Sequence, residues 1–221
     1  MASLTPRGTA YASFGNGTRV VALVHGLGLN RHSWQWQVPA LSPHFRVITF
    51  DLHGHGDSSA PPRTPSLTVF SEQLAELLDH LDIARASVFG FSLGGMIARR
   101  FAMDHADRLE ALGILHSAHA RDKAAHDAIQ ARVVQAAQDG PAATVEAALS
   151  RWFTDAFRLS HPELMDEVRR WILANRKDVY APIYQVLVDR GIDVLAVGED
   201  PAPHVVHHLR MAQAEAVGEP A

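Results

Sequence analysis

The sequence predicts an α/β fold in which a mainly parallel sheet is flanked by helices and interrupted by an all-helical insertion. Three observations lead there. Four runs are almost continuously apolar, at residues 19–25, 47–50, 87–89 and 111–115, the pattern of strands buried on both faces. Helical periodicity separates several of them, and strand alternating with helix means a parallel sheet. After Leu115 the alternation stops, and residues 121–189 carry helical periodicity alone.

Taken in order, residues 9–14 read as a short strand ended by Gly15-Asn16-Gly17, a turn signal between strands. The apolar run 19–25 ends at His25-Gly26. The run 47–50 leads into Asp51-Leu52-His53-Gly54-His55-Gly56-Asp57-Ser58. Phe70, Leu74, Leu77, Leu78 and Leu81 then recur at helical spacing, with Ser66 or Thr68 available as N-cap. The apolar stretch 86–89 runs into Gly90-Phe91-Ser92-Leu93-Gly94. A helix-forming segment, 93–105, follows, with Met96, Ile97, Arg100 and Phe101 on one face. Beyond the strand at 111–115 come four helical segments. Ile129 and Val133 mark the first; Val145, Leu149, Trp152 and Phe153 the second. Leu164, Val168, Trp171 and Ile172 mark the third; Val179, Ile183, Val186 and Leu187 the fourth. Gly140-Pro141 and His161-Pro162 punctuate them. Such an insertion between strands of a parallel sheet is most simply a cap over the sheet's C-terminal edge, where ligands bind. Strand signals resume at 192–197, followed by Gly198-Glu199-Asp200.

Composition excludes several classes. A chain of 221 residues with 47% hydrophobic and 20% charged content suits one globular domain carrying an insertion. The net charge of −4 argues against nucleic acid or an anionic membrane surface as partner. With no cysteine there is no disulfide framework, thiolate nucleophile or cysteine zinc site. Residues 1–9 lack an apolar core of signal-peptide length, and no run approaches the ~18 apolar residues of a membrane span. The cytoplasm is the expected compartment.

The chemistry centres on Ser92. In G-x-S-x-G between a strand and a helix, the glycines permit a sharp turn and close packing, and the serine hydroxyl stands exposed at its crest. The bland alternative, a serine that merely caps the helix, is outweighed by the strand before it, the helix after it and the independent element at His25-Gly26. A serine nucleophile needs a base to take its proton and an acid to orient that base. His53-Gly54-His55 invites a metal reading, but Gly54 and Gly56 suit a tight turn, and too few carboxylates stand at usable spacing to complete a site. His116 and His119, just after a strand, read as pocket-wall or hinge residues. Gly26-Leu27-Gly28 lacks the third glycine of a dinucleotide fingerprint and no P-loop exists, so no cofactor is expected.

These pieces together resemble the α/β-hydrolase superfamily, in its capped serine esterase and enol-lactonase-like branch. The likeness rests on Leu23-Val24-His25-Gly26-Leu27-Gly28, Trp34, the Asp51–Ser58 turn and Gly90-Phe91-Ser92-Leu93-Gly94-Gly95. It is dense over residues 19–117, thin through the insertion and partial from Ile192 onward. It implies a hydrolase core at residues 1–118, a helical cap at 119–189 and the rest of the core at 190–221, incomplete. It implies Ser92 as nucleophile and the backbone N–H groups of Leu27 and Leu93 as an oxyanion hole. His25 then braces the loop rather than serving as base. The expected substrate is a small carboxylic ester or lactone, with C–C bond hydrolysis or perhydrolysis as neighbouring chemistry.

The acid and base are placed less simply. Asp200 follows the strand at 192–197 and matches the acid-bearing loop, though one residue short. The family sets its histidine beyond a further helix and strand, which need roughly 25 residues; 21 follow Asp200. His204, His207 and His208 would sit on the helix after Asp200, with His204 nearest the active edge. Three alternatives stand: a shortened or altered C-terminus, recruitment of a late histidine or a partner chain's, or residual catalysis without one triad member. A missing last strand leaves a sheet edge unpaired and favours a homodimer. A non-catalytic ligand-binding protein of the same fold is the competing class.

Overall fold

In the computed structural model, residues 3–118 and 121–188 are described. The sheet has six strands in the order β1-β2-β4-β3-β5-β6. They are β1 (Ser3–Leu4), β2 (Ala10–Phe14), β3 (Val20–Val24), β4 (Arg46–Phe50), β5 (Ala86–Phe91) and β6 (Leu109–Leu115). β3 pairs in parallel with β4 and β5, and β5 with β6, whereas β1 and β2 form an antiparallel margin. The chain reverses direction between β2 and β3, across Gly15-Asn16-Gly17, but the strands so joined are not neighbours. β2 pairs with β4 instead, and the turn passes close over the backbone of Ser42 and Phe45.

Helices cover both faces. α1 (Val38–Leu41), with Trp34 from the short turn Arg31–Trp34, packs on Val21, Leu23 and Val47. α2 (Leu67–His80) and α3 (Leu93–Asp104) pack on the other face against Ala22, Val24, Ile48 and Val88. Neighbouring residues of β3 therefore point to opposite layers, and all five are buried, which is why the run is continuously apolar. Ser66, not Thr68, caps α2, accepting from the Val69 N–H.

The helical segment holds α4 (Lys123–Asp139), α5 (Val145–Trp152), α6 (Asp155–Ser160), α7 (Pro162–Leu173) and α8 (Lys177–Gln185). Four match the expected periodicities. The short α6 was not anticipated; the Thr154 side chain starts it by accepting from the Phe157 N–H. Ile129, Val133 and Ala136 of α4 and Tyr180, Ile183 and Tyr184 of α8 join the sheet's core. Val145, Leu149, Met165, Val168 and Ile172 form a second cluster, into which Leu29 inserts from the loop after β3. No helix among the described residues is long and apolar enough to cross a membrane. The expected strand at 192–197 lies outside the described residues.

Candidate active site

Chain order places the site. From β3 the chain steps to β4 on one side, then crosses to β5 on the other, so the order reverses at β3 and β5. Ligands bind in the crevice beyond the carboxyl ends of such a pair. Val24 and Gly90 are register partners there, and the two chains run on into Gly26-Leu27 and into Ser92.

Ser92 has φ 56° and ψ −115°, a left-handed backbone that a non-glycine residue adopts at a cost of about 1–3 kcal/mol. The neighbours hold it there. Its N–H donates to Leu115 O at 3.0 Å, and its carbonyl accepts from Gly95 N at 3.0 Å and Met96 N at 3.3 Å. The reversal requires α3 to start almost on top of β3. A Cβ on Gly94 would fall on the Val24 carbonyl and 2.6 Å from the His25 oxygen, both immovable backbone. Gly26 is equally near: a Cβ on it would lie 3.3 Å from Ser92 Cβ. The N–H groups of Leu27 and Leu93 have no hydrogen-bond partner among the described residues. The second opens a helix, where N–H groups are unpaired by construction.

The loop carrying Leu27 is braced by histidines. His25 Nε2 accepts from the Leu52 N–H at 3.0 Å, so its Nδ1 carries the proton and donates to Gly26 O at 2.8 Å. His55 repeats the arrangement: Nε2 accepts from the Gly28 N–H at 3.1 Å, and Nδ1 donates to His53 O at 3.2 Å. The rings meet edge to face, 5.1 Å apart. Burial drives the His25 pKa down to about 4. It drives His55 down to about 3, with the neighbouring His25 adding to the effect. Both are neutral imidazoles with every ring nitrogen engaged. Gly54 and Gly56 make the expected tight turn at φ 78° and 48°.

Beneath the loop lies a buried ion pair invisible to motif reading. Asp51 is fully buried; it accepts the Arg31 N–H at 2.7 Å, the Asp57 N–H at 2.8 Å and the Arg31 guanidinium. Arg31 also reaches Asp57 at 2.7 Å. Asp51 O accepts from Ser58 Oγ at 2.7 Å and from Gln73 Nε2 at 3.0 Å. From the helical side, Asn175 Nδ2 donates to Gly28 O at 3.1 Å. The loop is thus held from both layers.

A cavity of about 550 Å³ opens between Ser92 and the helical segment. Leu27, Phe91 and His116 form its floor; Trp152, Tyr180 and Tyr184 stand in its walls. Of the aromatics in the helical segment, Trp152 and Tyr180 line it, whereas Phe153 and Trp171 pack in the helical core. His116, at φ 46°, stacks on Phe91 with centroids 6.3 Å apart. This pair also borders an apolar cavity of about 430 Å³ lined by Leu29, Trp34, Trp36 and Leu115. Three arginines, Arg121, Arg132 and Arg151, line the Ser92 cavity and were missed by sequence reading. They lie on separate stretches, with no spacing that announces a common site.

Among the described residues, Ser92 Oγ makes no hydrogen bond to an imidazole. Asp200, His204 and His119 lie outside the described residues. What the described part brings together is a strained serine, two unpaired backbone N–H groups and a cavity. That combination suits attack on a carbonyl and stabilisation of the resulting oxyanion.

Residues 19–155 match the family model described as alpha/beta hydrolase fold. 3-Oxoadipate enol-lactonase 2 of Acinetobacter baylyi is 28% identical over 183 residues, 82% of this chain and 68% of the relative. The enol-lactonase structure from Burkholderia xenovorans superposes with a TM-score of 0.78 at 29% identity, covering 85% of this chain and 73% of that one. A thermophilic esterase from Thermogutta terrifontis, solved with malate bound, gives 0.75 at 29% identity, covering 82% and 67%.

Proposed function

The chain belongs to the alpha/beta hydrolase fold family, and from that premise we propose that it is a serine hydrolase cleaving a carboxylic ester or lactone through an acyl-enzyme on Ser92. The observation that carries this reading is the left-handed backbone of Ser92 at the junction of β5 and α3, facing Gly26-Leu27 across the crevice. A strained serine there has no structural use that a glycine would not serve better.

In the proposed reaction, Ser92 Oγ attacks the carbonyl carbon while its proton passes to an imidazole. The carbonyl π pair moves onto oxygen, and the N–H groups of Leu27 and Leu93 stabilise the charge. Losing one such donor raises the barrier by about 3–4 kcal/mol. The tetrahedral intermediate expels the alcohol, which takes the proton. Water then adds to the acyl-enzyme by the same route, releasing the acid and restoring Ser92. His204 is the proposed base and Asp200 the acid that orients it. His25 and His55 are unsuited to the role, since both of their ring nitrogens are already engaged. The enol-lactonase and esterase relatives support the substrate class.

The test is turnover of p-nitrophenyl esters together with labelling by a fluorophosphonate. Ser92→Ala is expected to abolish both, and His204→Ala to reduce turnover by roughly three orders of magnitude or more. Wild-type protein that neither turns over an ester nor takes the label sinks the reading in favour of a ligand-binding protein.

A further inference from the structure

Residues 26–29 form a β-turn, closed by the Leu29 N–H donating to Gly26 O at 3.2 Å. Its third residue, Gly28, has φ 78°, the left-handed position that suits glycine. Leu27, whose N–H is unpaired among the described residues, is the second. The direction of that N–H follows from how the polar groups of the turn are held. The core holds two of them: His25 Nδ1 donates to Gly26 O at 2.8 Å, and the Gly28 N–H donates to His55 Nε2 at 3.1 Å. The Gly28 carbonyl is held from the helical segment instead, by Asn175 Nδ2 at 3.1 Å, across 147 positions of sequence. The two layers also touch at this point. A Cβ on Gly28 would lie 3.4 Å from Tyr180 Oη and 3.5 Å from Ile172 Cγ1, and Leu29 packs in one cluster with Ile172.

Asn175 is buried just beyond the end of α7. Its backbone N–H donates to Ile172 O at 3.2 Å, and Nδ2 donates to Trp171 O and Ile172 O, each at 2.9 Å. Carbonyls at a helix end lack partners within the helix, so closing α7 is one use for this side chain. That use does not account for the third carbonyl. Two amide hydrogens serve three acceptors, and the third, Gly28 O, belongs to the turn beside Ser92. The three carbonyls also fix which way the amide faces, because only its nitrogen can donate. Oδ1 is left buried with no donor among the described residues, which weighs against a purely stabilising role.

We propose that Asn175 is a positioning residue for the oxyanion hole: its amide fixes the Gly28 carbonyl, and through it the angle at which the Leu27 N–H meets a developing oxyanion. The helical segment is then part of the hole's support as well as a cover over the cavity. The inference rests on the serine-hydrolase reading above. Asn175 acts through the turn and does not touch the reacting atoms. The leverage is large because a donor stabilises the transition state only at hydrogen-bond distance, and a misplacement of about 1 Å costs on the order of a hundredfold in rate.

The experiment measures p-nitrophenyl butyrate turnover alongside inhibition by an alkyl trifluoromethyl ketone, whose adduct with Ser92 places an oxyanion in the hole. Asn175→Ala is expected to lower kcat by roughly ten- to a hundredfold and to leave KM within about threefold. Ketone binding should weaken by the same factor as kcat/KM, because both report stabilisation of the tetrahedral state. Val168→Ala is the control: it loosens the same helical cluster and should lower the thermal midpoint with kcat unchanged. If Asn175→Ala does not fold, Asn175→Leu keeps the volume, removes both donors and carries the same test. A variant whose kcat and ketone affinity stay within twofold of wild type overturns the inference and leaves the hydrolase reading standing. An equal fall in kcat for Val168→Ala also overturns it, since loosening of the segment would then suffice. Wild-type protein that neither cleaves the ester nor binds the ketone overturns both.

Discussion

Lowering the pH should unlock the loop that carries Leu27, through two buried histidines. His25 and His55 have pKa values near 4 and near 3 in the folded protein, against 6.5 when unperturbed. Both folded values are depressed, so the unfolded chain takes up protons first as pH falls. The stability they contribute is complete above about pH 6.5 and is lost as pH drops towards 4 and 3. At pH 5 each group stands about 1.5 units below its unfolded pKa and is still neutral when folded. That amounts to about 2 kcal/mol apiece and about 4 kcal/mol for the pair. His55→Leu separates this effect from other titrations. At neutral pH the variant should lose about 1–3 kcal/mol, because the buried Gly28 N–H loses its acceptor. It also loses the His55 share of the acid sensitivity, so its deficit relative to wild type should shrink by about 2 kcal/mol between pH 7 and pH 5. Urea unfolding followed by circular dichroism and tryptophan fluorescence at pH 7, 6 and 5 measures this directly. A deficit that stays constant across the three pH values refutes the claim that His55 is held neutral by burial.

Two further substitutions probe the scaffold. Gly94→Ala drives a methyl group into the Val24 and His25 carbonyls, so the loss should exceed the usual 1–3 kcal/mol of overpacking. A thermal midpoint unchanged from wild type would contradict the close approach of α3 to β3. Arg31→Met leaves the buried Asp51 carboxylate without its cation, at a cost of about 3 kcal/mol. For a chain of this size that lowers the midpoint by roughly 6–12 °C in a thermal melt; a shift under about 2 °C would mean that backbone N–H groups alone satisfy Asp51.

Much of the fold was readable in the chain because its signals are local. The apolar runs at β3 and β4 are continuous because both layers bury alternate residues of the same strand. Ser66 could be seen as a cap, and Gly90 and Gly94 as the flanks of a sharp turn. Two features are not legible locally. The Gly15-Asn16-Gly17 signal marks a turn between strands, but a turn's local geometry does not say which strand lies alongside. β4, arriving later in the sequence, takes that place beside β2. The α6 helix is six residues long, too short for a periodic pattern.

The histidines show the same division within the site. The chain holds fourteen histidines, but the roles of those in the site depend on partners far along the chain. His25 is occupied by Leu52, and His55 by Gly28, each 27 residues distant. The Asp51–Ser58 segment reads as a motif, yet its order depends on Arg31, Gln73 and Ser58 bonds that no spacing rule predicts.

By itself the sequence determined the α/β class and the turn at Ser92, because these rest on residue type and spacing within a few positions. It also marked the crevice side, since strand polarity follows from chain order. Only the tertiary structure decided what surrounds the serine. Arg121, Arg132 and Arg151 come from different stretches and share no period, so their convergence exists only once α4 and α5 pack over the sheet. Which side chains meet at the cavity is equally a property of the fold, because it depends on what shares a volume rather than a segment of chain.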